Sequence, residues 1–215
     1  MKKTTIIQIA LCLCLFSSCS NIRAIYSISL QKVHYPSHVA QQIGAQTITA
    51  AKDIKDLNVY EDDMIKSTWL VSDNSFFFSI TNKTQRPIEV NWDNISYVDI
   101  NGSVGRVTHK NIAYANINNP QPSIFIPSGA TLDDLLLPID LLYSVGNRNK
   151  LIPIINHNFL FPCIYNSMKA FNAPNGAASY VGKTMQIFIP IVIDNVQYEY
   201  TFIFSIDQLL GSNRI

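Results

Sequence analysis

The run from Asn74 to Val107, NSFFFSITNKTQRPIEVNWDNISYVDINGSVGRV, limits the fold more than any other part of the chain. Phe76, Phe78 and Ile80 alternate with Phe77, Ser79 and Thr81. A period of two in aromatic and β-branched residues predicts a strand, because successive side chains leave a pleated backbone on opposite faces. Turn formers from Asn82 to Pro87 break the pattern. Ile88, Val90 and Trp92 then alternate with Glu89 and Asn91, which predicts a second, half-buried strand that Asp93-Asn94 ends. Asn101-Gly102 suits a type I′ hairpin, where both central residues have positive φ. The whole run reads as antiparallel sheet.

A second signal closes the chain. Lys183–Ile193 and Val196–Ile206 flank Asp194-Asn195, and Val196, Tyr198, Tyr200, Phe202, Phe204 and Ile206 form one apolar face. This predicts a long hairpin, with Asp207–Leu210 capping the domain and Gly211 as its stop. Leu57–Tyr60 and Ile65–Val71 read as strands split by Glu61-Asp62-Asp63, a solvated acidic turn. Three consecutive carboxylates do not converge on one ion. Ile124–Ile126 and Thr131–Pro138 add strands on either side of Pro127-Ser128-Gly129. Asp133 and Asp134 on a strand point to opposite faces, so they cannot serve one substrate atom as acid and base. Two stretches are poorly patterned: the polar loop Asn111–Ser123 and the aromatic-, Asn- and Pro-containing Leu141–Ala178. Leu141–Ala178 reads first as a packed flap covering a sheet edge. Because long loops in compact domains often carry function, these two stretches are also where any binding surface is to be sought.

The N-terminus has a different character. Met1-Lys2-Lys3 precedes the apolar run Thr4–Phe16, which is too short to span a bilayer but has the length of a signal-peptide core. Phe16-Ser17-Ser18-Cys19 looks like a bacterial lipobox, with Cys19 as the lipid-receiving residue. This predicts a lipoprotein signal peptide over 1–18, a lipid-anchored connector over 19–55 and a β-sandwich domain over 56–210. The alternatives are ordinary secretion with cleavage elsewhere, for instance after Ala24, and an uncleaved anchor. Within the connector, Ile22, Ala24, Tyr26 and Ile28 have the spacing of a short strand, and Ser37–Ile43 that of a helical turn or two.

Charge and cysteine usage exclude several classes. Only 14% of residues are charged and 47% are hydrophobic, the composition of a folded chain. The formal charge of +1, lowered when Lys2 and Lys3 leave with the leader, lacks the clustered basic face that nucleic acid requires. Once Cys12, Cys14 and Cys19 are assigned to the leader and its end, Cys163 is left without an intrachain partner and reads as a buried small hydrophobe. Gly182-Lys183-Thr184 has the end of a phosphate-binding loop but is followed by a strand pattern, not a helix. Asp99-Ile100-Asn101-Gly102 is a fragment of a calcium loop that a hairpin turn explains fully. His34, His38, His109 and His157 are dispersed, and neither G-x-S-x-G nor H-E-x-x-H is present. No catalytic, metal-binding or cofactor-binding residue is assigned, and no cofactor is implied.

F-x-F-x-I-x-N-x-T from Phe76 to Thr84, P-I-x-V from Pro87 to Val90, a hairpin Gly102 and I-P-x-G from Ile126 to Gly129 occur in order. Together they resemble the immunoglobulin-like β-sandwich modules of extracytoplasmic bacterial lipoproteins. Trp92-Asp93, Val98-Asp99 to Gly102 and Arg106-Val107 to His109 are similar in particular to a group of uncharacterised Bacteroidetes-type lipoproteins. The resemblance covers roughly 56–206 and is densest up to Pro138. It implies a fold and an envelope setting, with no substrate and no site residues.

The expected object is therefore an all-β, immunoglobulin-like antiparallel β-sandwich behind a lipoprotein signal peptide. It is lipid-anchored at Cys19 in the cell envelope, at the outer membrane. The expected role is non-enzymatic: binding or scaffolding an envelope protein or glycan, without nucleic acid. The alternatives are a glycan- or small-ligand-binding lipoprotein using its aromatic loops and, less supported, an enzyme acting on an envelope polymer.

Overall fold

The computed structural model describes residues 21–35, 47–50, 57–142 and 159–215. Met1–Ser20, which includes Cys19 and the expected leader, and Ser37–Ile43, where a helical turn is expected, lie outside the described residues, as does 143–158 of the Leu141–Ala178 stretch. What is described is almost entirely antiparallel β. The strands are β1 (Ile22–His34), β2 (Thr47–Ala50), β3 (Asn58–Glu61), β4 (Ile65–Val71), β5 (Phe76–Asn82), β6 (Ile88–Val90), β7 (Ser96–Val98), β8 (Val104–His109), β9 (Ile124–Ile126), β10 (Thr131–Pro138), β11 (Ile164–Tyr165), β12 (Thr184–Ile193) and β13 (Val196–Arg214). One short helix, α1, covers Met168–Phe171.

All-β is thus correct, but the sheet is one path rather than two separate ones. Its order is β11-β1-β13-β12-β7-β8-β10-β5-β4-β3-β2, with β6 on β12 and β9 on β6. The path curls, and β8 carries it from one layer to the other. Val104–Arg106 pair with β7, and Val107–His109 pair with β10. At the open end β1 comes back against β2 and β3. The two layers expected of a sandwich are therefore the two sides of one curled sheet.

The core lies between those sides. From β4 and β5, Trp69, Phe76, Phe78 and Ile80 point inward, while Phe77 is 43% exposed on the outer face. From β13, Tyr200, Phe202, Phe204 and Ile206 meet them. The Trp69 ring lies 4.6 Å from Phe202 and 5.3 Å from Phe204 between centroids, and Phe76 lies 5.4 Å from Phe204. Alternation alone explains why these residues share a face. Trp92 is buried as well, but not in a strand. The chain makes a 3-10 turn over Trp92–Asn94, capped by the Asn91 side chain. That turn lets β6 and β7 lie on successive parts of β12, and it drops the indole flat on His109 at 4.0 Å.

Three expectations need correction. The segment read as a connector holds β1, a thirteen-residue strand that pairs with β13 from Ile22↔Arg214 to His34↔Thr201, with Gln31 left out of the register. β13 does not stop at Gly211 but runs to Arg214, so the sheet exceeds 56–210 at both ends. Asn101-Gly102 is not a type I′ turn: Gly102 alone has positive φ, in a five-residue loop from Asp99 to Ser103. The two-residue turn with both φ positive is Asp194-Asn195, between Ile193 and Val196.

Candidate functional site

A cavity opens where four segments meet, and each is placed by a local reason. The β7–β8 loop is folded by Asp99, whose Oδ1 accepts from the backbone N–H of Asn101 and of Ser103, both at 2.8 Å. Gly102, at φ +85°, donates to the Asp99 carbonyl at 3.0 Å and completes the reversal. At the base of this hairpin Tyr97 is buried, and burial together with the nearby Asp99 charge pushes its phenol pKa up. The second segment follows β10: Pro138 ends the strand and a 3-10 turn over Ile139–Leu141 presents Asp140. Asp140 crosses close over the hairpin. A Cβ on Gly105 would sit 3.1 Å from Asp140 Oδ2, so the absence of a side chain at 105 makes room for the carboxylate.

The third segment is Phe159–Pro162. The Leu160 N–H donates to the Asp73 carbonyl at 2.7 Å, and Phe161 packs edge-on to Tyr26 at 5.4 Å. The Tyr26 hydroxyl lies 3.2 Å from the Pro162 carbonyl and 3.0 Å from the Ala177 carbonyl, tying the segment to β1. The fourth is the 3-10 turn Ala177–Tyr180, whose Tyr180 ring has Lys183 Nζ 5.2 Å from its centroid. Between them lies a cavity of about 480 Å³. Its walls are apolar and aromatic: Tyr97, Ile100, Val104, Leu141, Phe159 and Tyr180. Its polar groups include Asp99, Asp140, Asn101 and Ser103, and no Lys, Arg or His among the described residues lines it. Such a site favours a partner with apolar surface and hydroxyl or cationic groups.

A second hollow of about 190 Å³ uses the Asn111–Ser123 loop, through Asn118 to Gln121, against Trp92, Asp93 and Arg106. Its polar groups are largely committed to each other. The Gln121 N–H donates to Asp93 at 3.1 Å, and Arg106 Nη2 donates to Asn118 Oδ1 at 2.6 Å. Behind it, His109 Nδ1 is 3.3 Å from Asp134 Oδ2, within ion-pair reach but out of line for a hydrogen bond.

Both poorly patterned stretches therefore contribute residues to hollows. Cys19 is outside the described residues. Cys163 is buried, and burial pushes its thiol up to about 12. Gly182 leads into β12, so no helix N-terminus stands behind Lys183. Asp99 spends its carboxylate on its own turn. Among the described residues no group of three His, Cys, Asp or Glu side chains is placed to hold a metal. The reading of Glu61-Asp62-Asp63 as solvated fails at its centre. Asp62 is 1% exposed and accepts from the Tyr60 and Tyr200 hydroxyls and from the N–H groups of Met64 and Ile65, each at 2.8 Å.

Sequence reasoning missed Asp140 and Gly105. An isolated glycine within a strand is the signal that points to such a close approach. Fold and site together define an all-β protein with an apolar, acid-edged cavity at its loops. The chain matches no protein-family model, no curated protein and no solved structure.

Proposed function

We propose that this chain is a lipid-anchored cell-envelope protein of the outer membrane, akin to the Bacteroidetes-type lipoproteins its motifs resemble. It acts without catalysis, by binding or scaffolding another envelope component. The anchor reading rests on Phe16-Ser17-Ser18-Cys19 behind a basic, apolar leader. The binding reading rests on one observation, the cavity of about 480 Å³ walled by Tyr97, Val104, Phe159 and Tyr180 and edged by Asp99 and Asp140. The aromatic share of that wall also supports the second reading, in which the bound component is a glycan or small molecule rather than a protein.

A photoreactive side chain at Val104, 74% exposed on the cavity rim, separates the two. Irradiated intact cells are expected to yield a crosslinked envelope protein on the first reading and a glycan or small-molecule adduct on the second. Loss of either adduct on Gly105→Leu, which fills the space beside Asp140, ties it to the cavity. A crosslinking pattern identical to that of a photoreactive group at Phe77, on the opposite layer, counts against both.

A further inference from the structure

We infer that the end of the sheet where β1 begins is a membrane-docking face, seated on an anionic lipid surface rather than held away from it. The inference rests on the proposed acylation of Cys19. The body starts at Ile22, which is 4% exposed and is paired on both sides, with Tyr165 of β11 and Arg214 of β13. Asn21 is itself held, because its carbonyl accepts from the Ile215 N–H at 2.8 Å. Two residue steps separate Cys19 from Asn21, a span of at most about 7 Å. A headgroup layer is itself roughly 5–8 Å thick on each side of the hydrocarbon. Acyl chains in the hydrocarbon thus leave no length for a stalk, and the end of the sheet has to lie at the headgroups.

What that end presents suits the position. β11 runs past Ile22 toward Asn21, so Asn166, Ser167 and the start of α1 lie at the same level as Ile215. Phe171 turns back to pack with Ile22 and Ala24, while Met168 is 44% exposed and Ile215 59% exposed. The charged side chains of 163–176 and 208–215 are Lys169 and Arg214, with no Asp or Glu in either segment. Arg23 nearby is ion-paired with Asp73. Exposed apolar tips with basic side chains, on segments that carry no acid, are the chemistry of an interface with anionic lipid.

The test uses the full-length acylated protein in vesicles containing phosphatidylglycerol and a headgroup-depth quenching lipid. A fluorophore is placed at Met168→Cys or, for comparison, at Val196→Cys at the far end of β13; Cys163 is buried and does not compete. Strong quenching at 168 and none at 196 is expected. Lys169→Glu with Arg214→Glu should reduce quenching at 168 while fatty-acid labelling and melting temperature stay unchanged. Equal, weak quenching at both positions in a labelled, membrane-held protein overturns the docking face and leaves the anchor intact. If wild-type protein takes up no fatty acid, the anchor reading fails separately. Docking is then decided by sedimentation of the Cys19→Ala protein with phosphatidylglycerol against phosphatidylcholine vesicles. Preferential sedimentation with the former retains the face, and none removes it.

Discussion

At the scale of single residues, Asp62 is the most consequential side chain that its sequence context disguised. In Glu61-Asp62-Asp63 it reads as one of three solvated acids, yet the β3–β4 reversal buries it. One oxygen receives the backbone of that reversal, Met64 and Ile65, and the other receives Tyr60 from its own layer and Tyr200 from the facing one. The carboxylate therefore joins the two sides of the curled sheet. Buried charge is tolerated here because four donors replace its water. Asp62→Ala leaves those donors unmet and is expected to destabilise by about 3 kcal/mol or more. Tyr200→Phe removes one bond and should cost about 1–2 kcal/mol. Urea denaturation measures both, and an Asp62→Ala midpoint equal to wild type would show that the network contributes nothing.

At the scale of elements, the long strand β1 decides whether the N-terminal segment is tether or body. Deleting residues 22–34 exposes the whole edge of β13 and removes Ile28, Leu30 and Val33 from the core. That protein is expected to aggregate or to lose cooperative unfolding, followed by circular dichroism on heating. A soluble product with a sharp transition would restore the connector reading. The same strand shows what in this fold is legible from sequence. β5, β12 and β13 announced themselves because their alternation is unbroken where it faces the core. β1 was legible only at its start, where Ile22, Ala24 and Ile28 keep the period of two. Its register against β13 shifts three times. Leu210 and Asp207 are extra residues on β13 and leave the alternation of β1 intact, whereas Gln31 is extra on β1, so that the next buried position after Leu30 is Val33. The turn chemistry misled for a related reason. Asn-Gly is the favoured type I′ pair, but the Asp99 side chain captured the nearer backbone and imposed a longer loop, while Asp194-Asn195 took the tight turn without any glycine. The cavity was hidden because its walls come from four segments far apart in sequence. Of the two poorly patterned stretches, Leu141–Ala178 supplies part of its wall, through Leu141 and Phe159–Pro162.

At the scale of the whole molecule, the stabilising groups share one pH sensitivity. Cys163, Tyr26, Tyr60 and Tyr200 all have pKa values raised first of all by burial. Their ordinary values are 9.0 for the thiol and 10.0 for the phenols. Above pH 9 the unfolded chain releases protons that the folded chain keeps, so the folded state binds more protons and stability falls as pH rises. Below that pH the contribution is complete. Each group adds a slope of up to about 1.4 kcal/mol per pH unit between its unfolded and folded pKa values. Cys163 opens the decline, from pH 9 toward about 12, and the tyrosines steepen it above pH 10. These groups lie at different places in the sheet. Tyr60 and Tyr200 hold the two layers together at Asp62, and Tyr26 holds Pro162 and the cavity wall to β1. Pro162 lies against Tyr26, four residues along β1 from Ile22, about 13 Å in a strand. Alkali should thus loosen the layers and the cavity together. Denaturant midpoints at pH 7, 9, 10 and 11 are expected to be level to pH 9 and then fall. Cys163→Ala should delay the onset to near pH 10, and Tyr200→Phe should lower the slope above it. A midpoint constant to pH 11 would mean that these side chains reach water in the folded protein.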